Sequence, residues 1–219
     1  MKVVVVASGE LAESDAAWLD DADLVIAADG GAASLDRFGR APDVLVGDLD
    51  SVEPGLVARL AAAGTTVERH PVDKEASDTE LAIEMAVGAG AEAVVLLGAV
   101  GGPRLDHELA NLLLLADPAL AGHDVRAVRG GTRVRAVNGG ERLGLEGSSG
   151  DLVTLLPVGG DATGVTTEGL RWPLDAATLR LGRSRGLSNE VVKQPASVRL
   201  TGGTLLVVET AAEAAGEIQ

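Results

Sequence analysis

A chain of 219 residues with a formal net charge of −15 and no cysteine excludes several classes at once. So acidic a surface repels nucleic acid and anionic membrane, and the lack of thiols removes disulfides, thiolate catalysis and cysteine-ligated zinc. Carboxylates can still hold a phosphate-bearing ligand through a divalent cation.

Residues 3–7 form a continuous apolar run, as a strand buried on both faces requires. The run is too short for a membrane span and meets Glu10 and Glu13 at once, so the chain is expected to be soluble and cytoplasmic. Hydrophobic periodicity then predicts a helix over 10–19, a strand over 24–28 and a short helix over 32–38. A strand over 44–46, a helix over 54–63 and a strand over 66–69 follow. The next are a helix over 77–87, a strand over 93–97 and a helix over 105–115, stopped by Asp117-Pro118. Strands alternating with helices imply an α/β unit with a mostly parallel sheet and flanking helices.

Beyond about residue 124 the texture changes to short β-rich pieces at 125–128, 133–137, 152–156, 164–170, 179–181, 197–200 and 204–208. Glycine pairs such as Gly139-Gly140, Gly159-Gly160 and Gly202-Gly203 punctuate them. This pattern predicts a smaller C-terminal all-β sandwich domain. The domains are set at residues 1–130 and 131–219, and the Ala/Glu-rich tail from Ala211 is expected to fray.

Ligands of parallel α/β sheets sit at the carboxyl ends of the strands. Here those ends carry acid. One runs into Asp29-Gly30-Gly31, another into Gly47-Asp48-Leu49-Asp50-Ser51, and a fourth strand leads to the loop that holds Lys74 and Asp78. In an extended segment Asp48 and Asp50 point the same way and can reach one ion, with hard oxygens suited to Mg²⁺. An Asx-turn followed by a cap at Ser51 is the competing structural reading. Asp29-Gly30-Gly31 reads either as a turn or as a carboxylate beside small residues that admit a ligand. Ser77-Asp78-Thr79-Glu80 reads as a capping box, and Asp78 at that helix start can also hold metal or a substrate hydroxyl. Lys74 is one of three lysines and is either solvated or set against phosphate.

The segment Gly101-Gly102-Pro103-Arg104-Leu105-Asp106-His107 joins a strand to a helix. Its glycines would free N–H groups for phosphate, Arg104 would supply a fork for phosphoryl oxygens, and Asp106 would orient Arg104 or bind substrate. His107 is expected to pack or cap, and Asn111 to bond within the helix. There is neither a Walker P-loop nor a G-x-G-x-x-G fingerprint.

In this order the segments resemble the thiamine pyrophosphokinase family, together with Glu168-Gly169-Leu170-Arg171-Trp172-Pro173-Leu174 and Leu187-Ser188-Asn189-Glu190. The resemblance implies an α/β domain, a C-terminal β-sandwich, and a homodimer with sites between subunits. It implies ATP and thiamine as substrates, Mg²⁺ as cofactor, and thiamine diphosphate and AMP as products. By motif, Asp48, Asp50 and Asp78 would hold metal and act in catalysis. Asp29, Asp106, Trp172, Ser188 and Asn189 would bind substrate, while Lys74, Arg104, Gly101, Gly102 and Ser51 would contact ATP. Trp172 would stack on the cationic thiamine, although a tryptophan closing the sandwich core is the structural alternative. Leu49 stands where an aromatic is expected, and Pro103 removes one N–H donor from its loop. Competing functions are a pyrophosphokinase for another hydroxymethyl heterocycle of pterin type, a metal-dependent phosphohydrolase, and a non-catalytic nucleotide or thiamine sensor.

Overall fold

The N-terminal apolar run forms β1 (Lys2–Val6), in which Val3, Val4, Val5 and Val6 lose all solvent contact. Burying each such valine favours folding by about 1.5–3 kcal/mol, which explains why this strand takes the middle of a sheet. The structure is a computed structural model describing residues 1–71, 73 and 75–216. It divides into two units, one of Met1–Leu114 with Gly122–Gly130 and one of Leu115–Ala121 with Gly131–Gln219.

In the first unit β1 is followed by α1 (Ala16–Asp20), β2 (Leu24–Ala28), α2 (Gly31–Arg37), β3 (Val44–Gly47) and α3 (Pro54–Ala62). Then come β4 (Thr66–Arg69), α4 (Asp78–Gly88), β5 (Ala93–Leu97), α5 (Leu105–Leu114) and β6 (Asp124–Arg129). The strands lie in the order β4-β3-β2-β1-β5-β6, and the pairs within that run are parallel. Connections proceed outward from β1 on one side to β4, then return to β5 on the other. That reversal beside β1 is the switch point at which such sheets bind ligands. Proline at the first position starts α3, and the Ser77 hydroxyl accepts the Glu80 N–H at 3.2 Å to start α4.

The helix expected over 10–19 is shorter. A 3₁₀ turn at Glu13–Asp15 precedes α1, because the buried Asp15 carboxylate takes the N–H groups of Ala12 and Gly130, each at 2.8 Å. Those bonds hold the preceding loop out of helical geometry.

The second unit contains β7 (Thr132–Asn138), β8 (Arg142–Leu145), β9 (Leu152–Glu168), β10 (Ala177–Leu179), β11 (Asn189–Glu190), β12 (Ala196–Arg199), β13 (Gly202–Thr210) and α6 (Ala212–Gly216). Strands run β7-β13-β9-β12-β8, with β10 and β11 also on β9, and these pairs are antiparallel. Where two strands at 152–156 and 164–170 were expected, β9 is one strand of 17 residues. Gly159 and Gly164, at φ +71° and +63°, bend it instead of ending it, with a register shift against β13. The tail turns into α6 rather than fraying directly after Ala211. No helix among the described residues is long and apolar enough to cross a membrane.

Candidate functional site

The register of β2 on β3 brings the first two acids together. Ala28 pairs with Val46, so Asp29 and Gly47-Asp48 leave the sheet side by side, and the Asp29 N–H donates to the Val46 carbonyl at 2.9 Å. Asp78 arrives from the first position of α4. Carboxylate oxygens of Asp29, Asp48 and Asp78 all lie within 4.8 Å of one another. Gly47 makes this approach possible: its φ is +145°, and a Cβ there would sit 3.0 Å from the Asp78 carboxylate and 3.2 Å from the Asp29 Cβ.

Burial raises the Asp29 carboxyl above its ordinary range, and the charges of Asp78 and Asp48 add to the rise. The Ser51 hydroxyl and the Gly30 N–H act against it. Asp29 Oδ1 is buried without a hydrogen-bond donor among the described residues. A buried acceptor facing two further carboxylates is what a hard cation would satisfy, so the donor set fits a divalent ion.

Asp50 stands apart from that trio. Leu49 is buried at φ +63°, which breaks the extended geometry that would have aligned Asp48 with Asp50. Instead the Asp50 N–H donates to Asp48 Oδ1 at 3.1 Å, an Asx-turn, and the exposed Asp50 accepts the Ser51 hydroxyl at 2.9 Å. Lys74 lies outside the described residues.

Two cavities adjoin the cluster. One, of about 410 Å³, is lined by Asp29, Asp48 and Asp78 with Ser8, Asp106 and His107 among others. The other, of about 270 Å³, reaches Gly30, Ser51, Gly102 and Arg104. Arg104 and Asp106 form a two-point ion pair, in which the Arg104 guanidinium holds the Asp106 carboxyl far below the usual range. Asp106 therefore orients Arg104 in this state.

Several expectations for this loop change. The N–H groups of Gly101 and Gly102, expected to face phosphate, both donate to Glu108 Oε1 at 2.8 and 2.9 Å. Glu108 lies one turn into α5, within reach of its own preceding loop, and acts as an internal anion there. His107 is exposed and lines both cavities instead of packing. Asn111 donates to the Ala99 carbonyl at 3.0 Å, tying α5 to the end of β5. Gly31 serves packing, since a Cβ there would fall 1.9 Å from the Val6 carbonyl. Ser8 was overlooked because a lone hydroxyl carries no charge signal. The strand-end rule applied to the central strand would have found it.

The second unit carries its own pocket, about 270 Å³, lined by Trp172, Pro173, Leu174, Arg185, Asn189 and neighbours. Trp172 is 58% exposed and so is not the core tryptophan of the structural alternative. The buried Asn189 fixes it from two sides, accepting the Trp172 N–H at 3.1 Å and donating to the Trp172 carbonyl at 2.8 Å. The Arg171 guanidinium lies 5.7 Å from the ring centroid and pairs with Glu190 at 2.7 Å. Ser188, at φ +55°, donates its N–H to the Thr154 hydroxyl at 3.0 Å. Asn189 thus acts through Trp172, and Thr154 was legible only once the register of β9 was known.

Known proteins resemble this chain over both units. Residues 16–127 match the family model of the thiamin pyrophosphokinase catalytic domain, and residues 142–205 that of the thiamin pyrophosphokinase vitamin B1 binding domain. A thiamine pyrophosphokinase of Bacillus subtilis is 23% identical over 193 residues, covering 88% of this chain and 90% of the relative. Thiamine pyrophosphokinase 1 of rice is 26% identical over 195 residues, covering 78% of this chain and 66% of its own. The crystal structure of the Bacillus subtilis protein superposes with a TM-score of 0.85 at 24% identity, over 96% of this chain and 99% of that one. Yeast thiamin pyrophosphokinase superposes with a TM-score of 0.76 at 15% identity, over 100% of this chain and 89% of that one. Both halves of the chain, one bearing the aspartate cluster and one the Trp172 pocket, match models of a single family, and the chain belongs to the thiamine pyrophosphokinase family.

Proposed function

We propose that this chain transfers the pyrophosphoryl group of ATP to the hydroxyl of thiamine, giving thiamine diphosphate and AMP. The observation that carries the proposal is the convergence of Asp29, Asp48 and Asp78 within 4.8 Å, in a chain whose two halves match the family's catalytic and vitamin B1 binding models. The relatives named above are thiamine pyrophosphokinases, which disfavours the pterin, hydrolase and sensor readings.

Asp29, Asp48 and Asp78 would hold a divalent cation, Mg²⁺ by the hardness of its ligands, which neutralises phosphate charge and draws the reacting groups together. Asp50, exposed beside them, would join the metal and catalysis only by turning from the Ser51 hydroxyl it now accepts, and Ser51 would contact ATP. Arg104, aligned by Asp106, takes phosphoryl oxygens as a planar fork, and Lys74 and the loop of Gly101 and Gly102 complete that wall. For the glycines this requires Glu108 to yield their N–H groups. The thiamine oxygen bonds to the β-phosphorus as the bond to the α–β bridging oxygen breaks. AMP leaves with that oxygen, and the hydroxyl proton passes to solvent. Such a transfer needs positioning and charge neutralisation more than covalent help.

Trp172 offers its face to the cationic ring, with Asn189 fixing its backbone and Ser188 nearby. We assign residues 1–130 to catalysis and residues 131–219 to a thiamine-binding β-sandwich that also pairs with a second copy. In the first unit Leu105, Leu109 and Leu113 leave one face of α5 apolar and 53–67% exposed, a further surface that a second copy would cover. A cytoplasmic enzyme acting on soluble substrates fits the whole.

Incubation with ATP, Mg²⁺ and thiamine tests the reading. AMP and thiamine diphosphate should form in equal amounts, each dependent on thiamine. ATP loss without thiamine would point to a phosphohydrolase, and tight binding without turnover to a sensor.

A further inference from the structure

The strand-rich unit carries a group of arginines that the proposed reaction leaves unused. Between Asp175 and Glu190 the chain has no carboxylate but three arginines, Arg180, Arg183 and Arg185. All three are exposed, and with Thr178 they line one cavity of about 470 Å³. Many arginines elsewhere face acids: Arg40 pairs with Asp20, Arg59 with Asp36, Arg126 with Asp124, Arg133 with Glu146 and Arg142 with Glu168. Among the described residues none of the three in the cavity has an ion pair. The carboxylate of Asp161 beside them accepts the Leu181 N–H at 2.9 Å.

In a chain of net charge −15, carboxylates are abundant, so three adjacent guanidinium groups without one mark a place where positive charge is concentrated. Like charges within a Debye length of about 8–10 Å repel, and an anion between them would relieve that repulsion. Guanidinium forks match the oxygens of phosphate in geometry and charge, and the arginines need no metal to bind it. Arg185 also lines the Trp172 pocket, so the two cavities share a wall.

We propose that Arg180, Arg183 and Arg185 form a cation-independent site for phosphoryl oxyanions. The site goes beyond the proposed reaction and does not depend on its substrate being thiamine. Two sources share this chemistry: the polyphosphate of a nucleotide, and a phosphate ester whose ring enters the Trp172 pocket.

Titration calorimetry with inorganic pyrophosphate, on the full chain in buffer freed of metal by chelating resin, tests it. Without a cation the aspartate cluster repels pyrophosphate, and any binding left at Arg104 is common to wild type and R180A/R183A, so the difference between them reads the three arginines. Wild-type protein should bind, and R180A/R183A should bind at least about tenfold more weakly, since loss of two charge-assisted partners exceeds one decade in affinity. Both residues are exposed, so the melting temperature should be unchanged, and Arg199→Ala, an exposed arginine elsewhere in this unit, should bind as wild type does. No binding by wild type, equal binding by R180A/R183A, or equal weakening by Arg199→Ala would overturn the site. ATP and thiamine diphosphate, titrated in parallel, identify the source. Tighter binding of ATP marks a nucleotide, and tighter binding of thiamine diphosphate an ester seated beside Trp172.

Discussion

Burial and the neighbouring carboxylates of Asp78 and Asp48 oppose ionisation of Asp29. Its folded pKa is raised above the unfolded value of about 3.9, so the folded chain binds the extra proton between the two values. Its contribution therefore favours folding at low pH and is lost as pH rises through that window. At neutral pH, without metal, the charge is a cost. Asn keeps the left-handed backbone that Asp29 adopts at φ +44°, so Asp29→Asn removes charge and little else. The metal-free variant should melt higher than wild type at pH 7. Added Mg²⁺ should no longer raise its melting temperature. A lower metal-free melting point with the Mg²⁺ shift retained would contradict this. At Trp172, loss of the ring face should raise the thiamine KM by about 2–30-fold, the equivalent of roughly 0.5–2 kcal/mol, with kcat little changed. An unchanged KM in Trp172→Ala would leave the exposed indole without a role in binding.

At the scale of elements, one buried ion pair joins β7, β8 and β13. Arg135 donates to Glu209 Oε1 at 2.6 Å, and Glu209 Oε2 takes the N–H groups of Glu146 and Gly147 at 2.7 and 2.9 Å. Glu209 is 1% exposed, so its removal strips the buried carboxylate from Arg135, which keeps only the part-exposed Glu146 and the Gly144 carbonyl, and leaves two N–H groups unmatched. Glu209→Ala should lose about 3–5 kcal/mol in denaturant unfolding, and a loss under about 1 kcal/mol would mean water enters to replace it. Nothing in the local sequence marks this pair, because 74 residues separate its members and only the register of β13 on β7 unites them. β1, β2, β3 and β5 were legible from their apolar runs, since a strand buried on both faces leaves no room for polar residues. β9 was misread for a related reason. Its glycines look like turn residues, yet the positive φ values of Gly159 and Gly164 bend the strand while pairing continues.

For the whole molecule, acid at successive strand ends was a readable signal because parallel strands deliver their carboxyl ends to one edge. Asp29 and Asp48 meet there by the register of β2 on β3, and Asp78 by the start of α4. The membership of the cluster was not readable, because it turns on Leu49 adopting a left-handed backbone that sends Asp50 outward. Nor was Glu108, whose hold on Gly101 and Gly102 depends on how α5 begins. In the proposed reaction the three gathered carboxylates drive pyrophosphoryl transfer. Asp48 tests it most directly, as a half-buried member of the trio whose backbone is already anchored by β3. With saturating ATP, thiamine and Mg²⁺, Asp48→Asn should form thiamine diphosphate about 10²-fold or more slowly than wild type while melting as a folded protein. A folded Asp48→Asn enzyme turning over at the wild-type rate would contradict the account.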